Sequence, residues 1–485
     1  MTPKPLLALA ASLLAIGTAT SGVAQTRSIS QSSSSKAAQQ HPQIVQEFGG
    51  EEGGARGAYV RQVGAKVSAR TNIQGGANAF RITTLNSPVM NAFAVPGGYL
   101  YITRQLLGLM NDEAELASVL GHEAGHIAAR HSSERQRAGI LSQILSVGAA
   151  LVTGSGQLGQ LAGQLSQGVF LKYSRSQEFE ADELGVRYIA GAGYDPTASS
   201  TFLASLGAAT SLESRAAGRN DERSTPSWAR THPLSEDRVR RATANAQKSG
   251  MVGRGTRNRD QFLAQIDGLM VDDDPKQGVI EGRNFVHPDL RLRFSVPTGY
   301  GMQNGARAVS IVGQQGQAQF GTGTFNGNLG NYIGQAFQSV VGQQAQVSPS
   351  QPRSTTVNGI PAAYSTARVA TQNGQVDLTI FAYQWDSNTA YHFAIITPAG
   401  SGLGPFNSMV QSLTRISASE AAAIRPRVID VVTVGRGDTV QSLAARMAYS
   451  DFQQERFRVL NGLAANAAVV PGQKVKLVVF GTRAS

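Results

Sequence analysis

Apolar residues at Leu116, Val119, Leu120 and Ile127 recur at close to every third or fourth position. That spacing places side chains on one face of an α-helix. Asp112 and Glu115, three apart at the head of the run, read as a capping box. Shorter runs predict strands at Phe80–Leu85, Asn91–Val95 and Tyr99–Thr103, the last two joined through a Pro96-Gly97-Gly98 turn. Between about 281 and 418, strand-like runs (Leu290–Val296, Ala308–Val312, Val376–Trp385, Tyr391–Thr397) alternate with turns rich in Gly, Asn and Gln. This part reads as an α+β domain of unknown role. Gly321-x-Gly323 within it lacks the further glycine and following helix of a phosphate loop.

The polar stretches divide the chain. At 485 residues, two to four domains are expected. Residues 246–280, with Asp272-Asp273-Asp274-Pro275, read as a linker, and Ser211–Arg230 as a mobile loop. Gly139–Gln167, rich in Gly, Ser, Gln and Leu, is placed to form either a lid or a buried helical hairpin. Lys4 precedes an apolar run at Leu6–Ala19 and then Gly22-Val23-Ala24. Residues 1–24 therefore read as a secretory signal peptide. The run is short for a membrane span, and no later stretch reaches about 18 apolar residues.

Composition narrows the setting. The chain has no Cys, which excludes disulfides and a lipid anchor on a cleavage-site cysteine. Its formal net charge of +11 suits anionic surroundings such as cell wall or lipid headgroups, and fits peripheral membrane association. No nucleic-acid-binding signature accompanies that charge.

The chemistry lies on the first helix. His122-Glu123-Ala124-Gly125-His126 spells H-E-x-x-H. Two imidazoles at i and i+4 share a helix face and can grip one Zn2+ ion, with Glu123 as general base toward a water. A third protein ligand is required. The H-x-x-G-x-x-H pattern would need Gly at 129 and His at 132, but Ala129 and Ser132 stand there. His131 lies about 140° further round a continuing helix and reads as surface, or as a support behind the ligands. Glu178 and Asp182, i and i+4 on a second helical stretch, suit a third ligand and an acceptor that fixes a histidine tautomer. Glu180 points to the opposite side and reads as solvated.

These blocks together resemble the family of HExxH zinc metallopeptidases that includes HtpX, the CAAX prenyl protease and the periplasmic BepA/LoiP-type enzymes. The resemblance runs through Asn91–Tyr99, His122–His131, Tyr173–Asp182, and Thr231-His232-Pro233 with Asp237-Arg238, roughly residues 40–245. It implies a mainly helical zincin-type domain with a small sheet. The metal ligands it implies are His122, His126 and Glu178, and the general base is Glu123. The family's His-Pro and Arg make His232 and Arg238 candidate donors to the oxyanion. His232 has two other readings: a fourth ligand that keeps the enzyme latent, or a plain turn residue before Pro. A strand edge beside the metal helix would hold an extended, unfolded substrate by main-chain pairing.

The tail carries a second resemblance. Val432-Thr433-Val434, Gly437-Asp438-Thr439, Leu443-Ala444, Leu460-Asn461-Gly462-Leu463 and Pro471-Gly472-Gln473 fall in the order of a LysM-like βααβ module over 428–480. That resemblance implies binding to N-acetylglucosamine-containing glycans such as peptidoglycan; a degenerate module that only packs is the other reading. The connection Tyr449–Glu455 is unusual in length. The expected protein is thus an α+β, secreted, periplasmic zinc endopeptidase acting on unfolded or misassembled envelope proteins. Peptidoglycan peptide hydrolysis, or chaperone-like assembly with a latent metal site, are the competing expectations.

Overall fold

The computed structural model describes residues 26–131, 173–216, 228, 232, 235–305, 308–341, 347–371 and 374–482. The signal-peptide reading, the lid-or-hairpin segment 139–167, most of the 211–230 loop and the neighbours Thr231 and Pro233 of His232 lie outside them. The first unit comprises α1 (Gln31–Glu47), α2 (Gly54–Ser68), β1 (Arg81–Leu85), β2 (Ala92–Val95), β3 (Tyr99–Thr103), α3 (Arg104–Leu109), α4 (Glu113–Ala128), α5 (Arg175–Gly191), α6 (Ala198–Ala216) and α7 (Glu236–Lys248). β3 lies in the middle of its sheet, parallel to β1 and antiparallel to β2, which leaves β2 at one edge. Alternation sorts the side chains of β2 and β3. Ala92, Ala94, Leu100 and Ile102 join the core around α4, while Phe93, Val95, Tyr99 and Tyr101 pack beneath Ala37 and Ile44 of α1. Gly97 and Gly98 make the turn at φ +113° and +89°, and a Cβ on Gly98 would stand 2.1 Å from Ala79 O.

The metal helix α4 is buried along its whole length. Asp112 caps it by accepting from Glu115 N–H at 2.9 Å. The Glu115 carboxylate does not return to the cap; it accepts from Asn111 N–H at 2.8 Å. α5 starts with a full capping box between Ser174 and Gln177. α4 and α5 cross closely because the crossing is built from small residues. A Cβ on Gly185 would lie 3.1 Å from His122 N, and one on Gly125 3.1 Å from Ala181 O.

The stretch 246–280, expected as a linker, is folded instead. It holds α8 (Arg259–Ile266) and β4 (Met270–Val271), and Phe262, Leu263, Ile266, Leu269 and Val271 enter the core of the first unit. Its polar composition hid a short apolar face.

The second unit opens with β5 (Val279–Glu281), β6 (Asn284–His287), β7 (Leu292–Ser295), β8 (Gly301–Asn304), β9 (Val309–Gly313) and β10 (Gly316–Thr322). After α9 (Leu329–Val341) come β11 (Arg353–Val357), β12 (Ile360–Thr371), β13 (Gly374–Gln384), β14 (Ala390–Pro398), α10 (Asn407–Ser412), β15 (Thr414–Arg415) and α11 (Ala418–Ala423). Seven strands form one antiparallel sheet, ordered β11-β12-β13-β14-β10-β9-β8. α9 covers one face, through Ile333, Phe337 and Val341, and α10 packs into the core on the other. Gly321 and Gly323 flank the end of β10 rather than forming a loop at a helix start.

The tail is β16 (Arg427–Thr433), α12 (Val440–Ala444), α13 (Gln453–Leu460) and β17 (Lys474–Phe480). β16 pairs with β17 on one side and with β4 on the other. Its apolar residues Ile429, Val475 and Leu477 belong to the same core as α3 and α4. The unusual connection after α12 has a docking role: Tyr449 OH donates to Asp272 at 2.8 Å.

Candidate metal centre

His122, His126, Glu178 and His232 each bring a donor atom to one buried cluster, all within 4.8 Å of one another. Helical geometry supplies the first pair, with the two Nε2 atoms 3.0 Å apart. α5 supplies Glu178, whose Oε1 is 3.5 Å from His126 Nε2 and whose Oε2 is 3.7 Å from His122 Nε2. His232 Nδ1 is 2.9 Å from Glu178 Oε1 and 3.2 Å from His122 Nε2. A four-coordinate ion with bonds of about 2.0–2.1 Å to imidazole separates its ligands by about 3.3 Å. The observed spacings bracket that value, and the donor set is one that divalent metals take. The residues fit a metal ion.

Charge favours the ligating form at two of the four donors, Glu178 and His126. Burial pushes the Glu178 carboxyl up, but His232 and Arg238 outweigh this and hold it well below the usual carboxylate range. Burial also works against the charged form of Asp182, and Arg238 again overcomes it. Burial lowers His126 far below an ordinary imidazole, which keeps it neutral and able to ligate.

Supports behind the ligands complete the site. Asp182 Oδ1 lies 2.9 Å from His122 Nδ1, the contact that fixes Nε2 toward the cluster. Arg238 grips Asp182 with two donors at 2.8 Å and reaches Glu178 Oε2 at 2.7 Å. Its Nη1 also donates to His232 O at 3.4 Å, so the guanidinium joins both carboxylates to the segment that carries His232. His131, expected at the surface or as a support, is buried, with Nδ1 3.0 Å from His126 Nδ1. The reason is local: α4 stops at Ala128, and Arg130 turns the chain back at φ +64°. Glu180 is exposed as expected, yet its Oε2 reaches His131 Nε2 at 3.3 Å.

Glu123 is fully buried beside the ligands. Its Oε1 accepts from Trp228 Nε1 at 3.3 Å, while Oε2 makes no hydrogen bond to a described residue. Trp228 was not singled out in the sequence. Its indole stacks on His232 at 4.6 Å between centroids, and its backbone N–H donates to Met90 O, just before the β2 edge. The signal available was its position four residues before His232, one helical turn away. Tyr173 was also missed; it stacks on His126 at 3.7 Å, and nothing in its spacing announces that.

Comparison with known proteins agrees with this geometry. Residues 55–246 match Peptidase family M48, and residues 432–478 match the LysM domain. The chain is 34% identical over 165 residues to the mitochondrial metalloendopeptidase OMA1 of Schizosaccharomyces pombe, covering 33% of this chain and 45% of that protein. It is 31% identical over 201 residues to the beta-barrel assembly-enhancing protease of Yersinia pestis, and 30% over 200 residues to that of Escherichia coli K12, covering 39% of each chain in both cases. The chain thus spans less than half the length of these relatives. On the motif, the buried donor cluster and these matches, residues 55–246 are a Peptidase family M48 domain and residues 432–478 a LysM domain.

Proposed function

We propose that this chain is a zinc-dependent endopeptidase of the cell envelope that cleaves unfolded or misassembled protein segments. The observation that carries the reading is the pairing of a His122–His126–Glu178 donor set with Glu123, whose Oε2 makes no hydrogen bond to a described residue. Two imidazoles and a carboxylate favour zinc among the common divalent ions. Zinc held there supplies a Lewis acid that polarises the scissile carbonyl.

The chain's own residues do the rest. Glu123 takes a proton from the attacking water and delivers it to the leaving amine. Asp182 holds the His122 tautomer, and Arg238 holds Asp182 and Glu178 in register. The β2 edge gives an extended substrate main-chain partners without reading its side chains, which suits unfolded chains. Export to the periplasm is supported by the apolar run Leu6–Ala19 behind Lys4. The relatives' names mention both mitochondria and β-barrel assembly, so the compartment rests on this chain's own start. The LysM domain supports contact with peptidoglycan.

A closed resting site is favoured by one further observation. His232 stands at ligand distance from the cluster while Trp228 donates to Glu123 and to Met90 O. In this arrangement Trp228 and His232 compete with a substrate for Glu123 and for the metal cluster.

The test is digestion of unfolded casein by the chain lacking residues 1–24, beside Glu123→Gln and His232→Ala, with zinc measured in each. Zinc in all three, cleavage by wild type, none by Glu123→Gln and faster cleavage by His232→Ala are expected. Muropeptide release from peptidoglycan without casein cleavage would replace the reading with cell-wall hydrolysis. Protection of unfolded proteins that survives Glu123→Gln, with no cleavage by any form, would replace it with a chaperone.

A further inference from the structure

A lysine from the LysM domain is buried inside the peptidase domain. Lys476, on β17, is 0% exposed. Its Nζ donates to three consecutive carbonyls, Gly108 O at 2.9 Å, Leu109 O at 3.1 Å and Met110 O at 2.6 Å. These are carbonyls at the C-terminal end of α3, which the helix itself leaves without donors. Buried and unpaired, each would carry a desolvation penalty, and a cation is the favoured partner at that end of the helix.

The corner so held leads directly into the metal helix. Met110, Asn111 and Asp112 are all that separate α3 from α4. Arg259 donates to Asn111 O at 2.8 Å and to Lys474 O at 3.2 Å, tying the same corner to β17 a second time. Asn461 fixes the strand at Lys476, accepting from its N–H at 2.7 Å and donating to its carbonyl at 2.9 Å. A Cβ on Gly108 would lie 3.1 Å from Val271 and 4.0 Å from Ile429, so β4 and β16 press on the corner from the apolar side. α4 is a stiff rod of 16 residues, about 24 Å long. A shift at its start is carried to His122, Glu123 and His126, and displacements near 1 Å at a reacting site are costly.

We infer that Lys476 is a positioning residue for the metal-binding helix, which makes the LysM domain a structural part of the peptidase site. The inference rests on the reading of the cluster as a zinc site. It assigns the domain a task separate from glycan contact, carried by the strand face turned toward α3.

The experiment uses the full chain lacking residues 1–24, loaded with zinc. Lys476→Met keeps most of the side-chain volume and removes the donors. Arg456→Ala breaks a contact between α13 and Glu213 of α6 and leaves the corner untouched. Zinc loss to a chelator, and kcat and KM on unfolded casein, are measured for each. For Lys476→Met the expected result is zinc release about tenfold faster and kcat about tenfold lower, with KM within about twofold of wild type. Arg456→Ala should change neither. Wild-type zinc release and kcat in folded Lys476→Met, or equal changes in Arg456→Ala, would overturn the inference. Should Lys476→Met not fold, Arg259→Met is read in the same way, and unchanged zinc release there overturns it. If the wild type binds zinc but cleaves nothing, the peptidase reading fails while zinc release still decides this one.

Discussion

At the scale of the residue, Glu123 and Asp182 do different work and should fail differently. With Glu123 as the proposed general base, Glu123→Gln should lower kcat by about 10²–10⁴-fold while zinc content, measured by atomic absorption, stays near one per chain. Asp182 stands behind the ligands, 2.9 Å from His122 Nδ1 and accepting two hydrogen bonds from Arg238. Asp182→Asn should weaken zinc binding by about 10–100-fold in a chelator competition, and kcat of the zinc-saturated form should fall far less. An Asp182→Asn protein with wild-type zinc affinity would remove the tautomer argument. The ligand pair, the base and the helix they ride on were legible because i, i+4 spacing is a local property. The back-turn that brings His131 onto His126 was not, since it depends on where the helix ends.

At the scale of the element, the α4–α5 crossing and the central sheet each carry a prediction. Gly185 sits where a Cβ would lie 3.1 Å from His122 N and 3.4 Å from Gly121 C. Gly185→Val should push the helices apart, cost about 1–3 kcal/mol in denaturant unfolding, and loosen zinc through the Glu178–His122 spacing. An unchanged unfolding midpoint would show that the crossing has room. In the second unit, His392 on β14 stands with Nδ1 2.8 Å from Tyr332 OH, and burial pushes its pKa down to about 4 from the ordinary 6.5. Between those values the unfolded chain binds the proton and the folded chain does not. The stability this residue contributes is therefore full above pH 6.5 and is lost as pH falls toward 4. Melting curves across that range should slope less steeply for His392→Gln than for wild type; equal slopes would refute the assignment. Four strands of this unit, β7, β9, β13 and β14, were legible as strand-like runs between turns, but their order was not, because pairing joins segments as distant as β10 and β14.

At the scale of the molecule, the LysM domain and the metal helix share one core. Ending the chain before β16 would expose Leu269, Val271 and the carbonyls of residues 108–110 together. The shortened chain should lose the cooperative unfolding of the peptidase domain in calorimetry; a wild-type transition in it would show the two domains to be independent. Among the described residues, no helix is long and apolar enough to cross a membrane.

The sequence alone determined the metal motif and the Asp112 cap of the helix that carries it, and made Glu178 the expected third ligand. Each of these is written in spacings of a few residues, where backbone geometry leaves little choice. Only the tertiary structure decided that Arg238 backs the carboxylates, that Trp228 covers Glu123, and that Lys476 caps α3 from 366 to 368 residues away. Such contacts pair groups whose separation along the chain carries no signal. They are selected by burial, which forces each enclosed polar group to find a partner wherever the fold has brought one within reach.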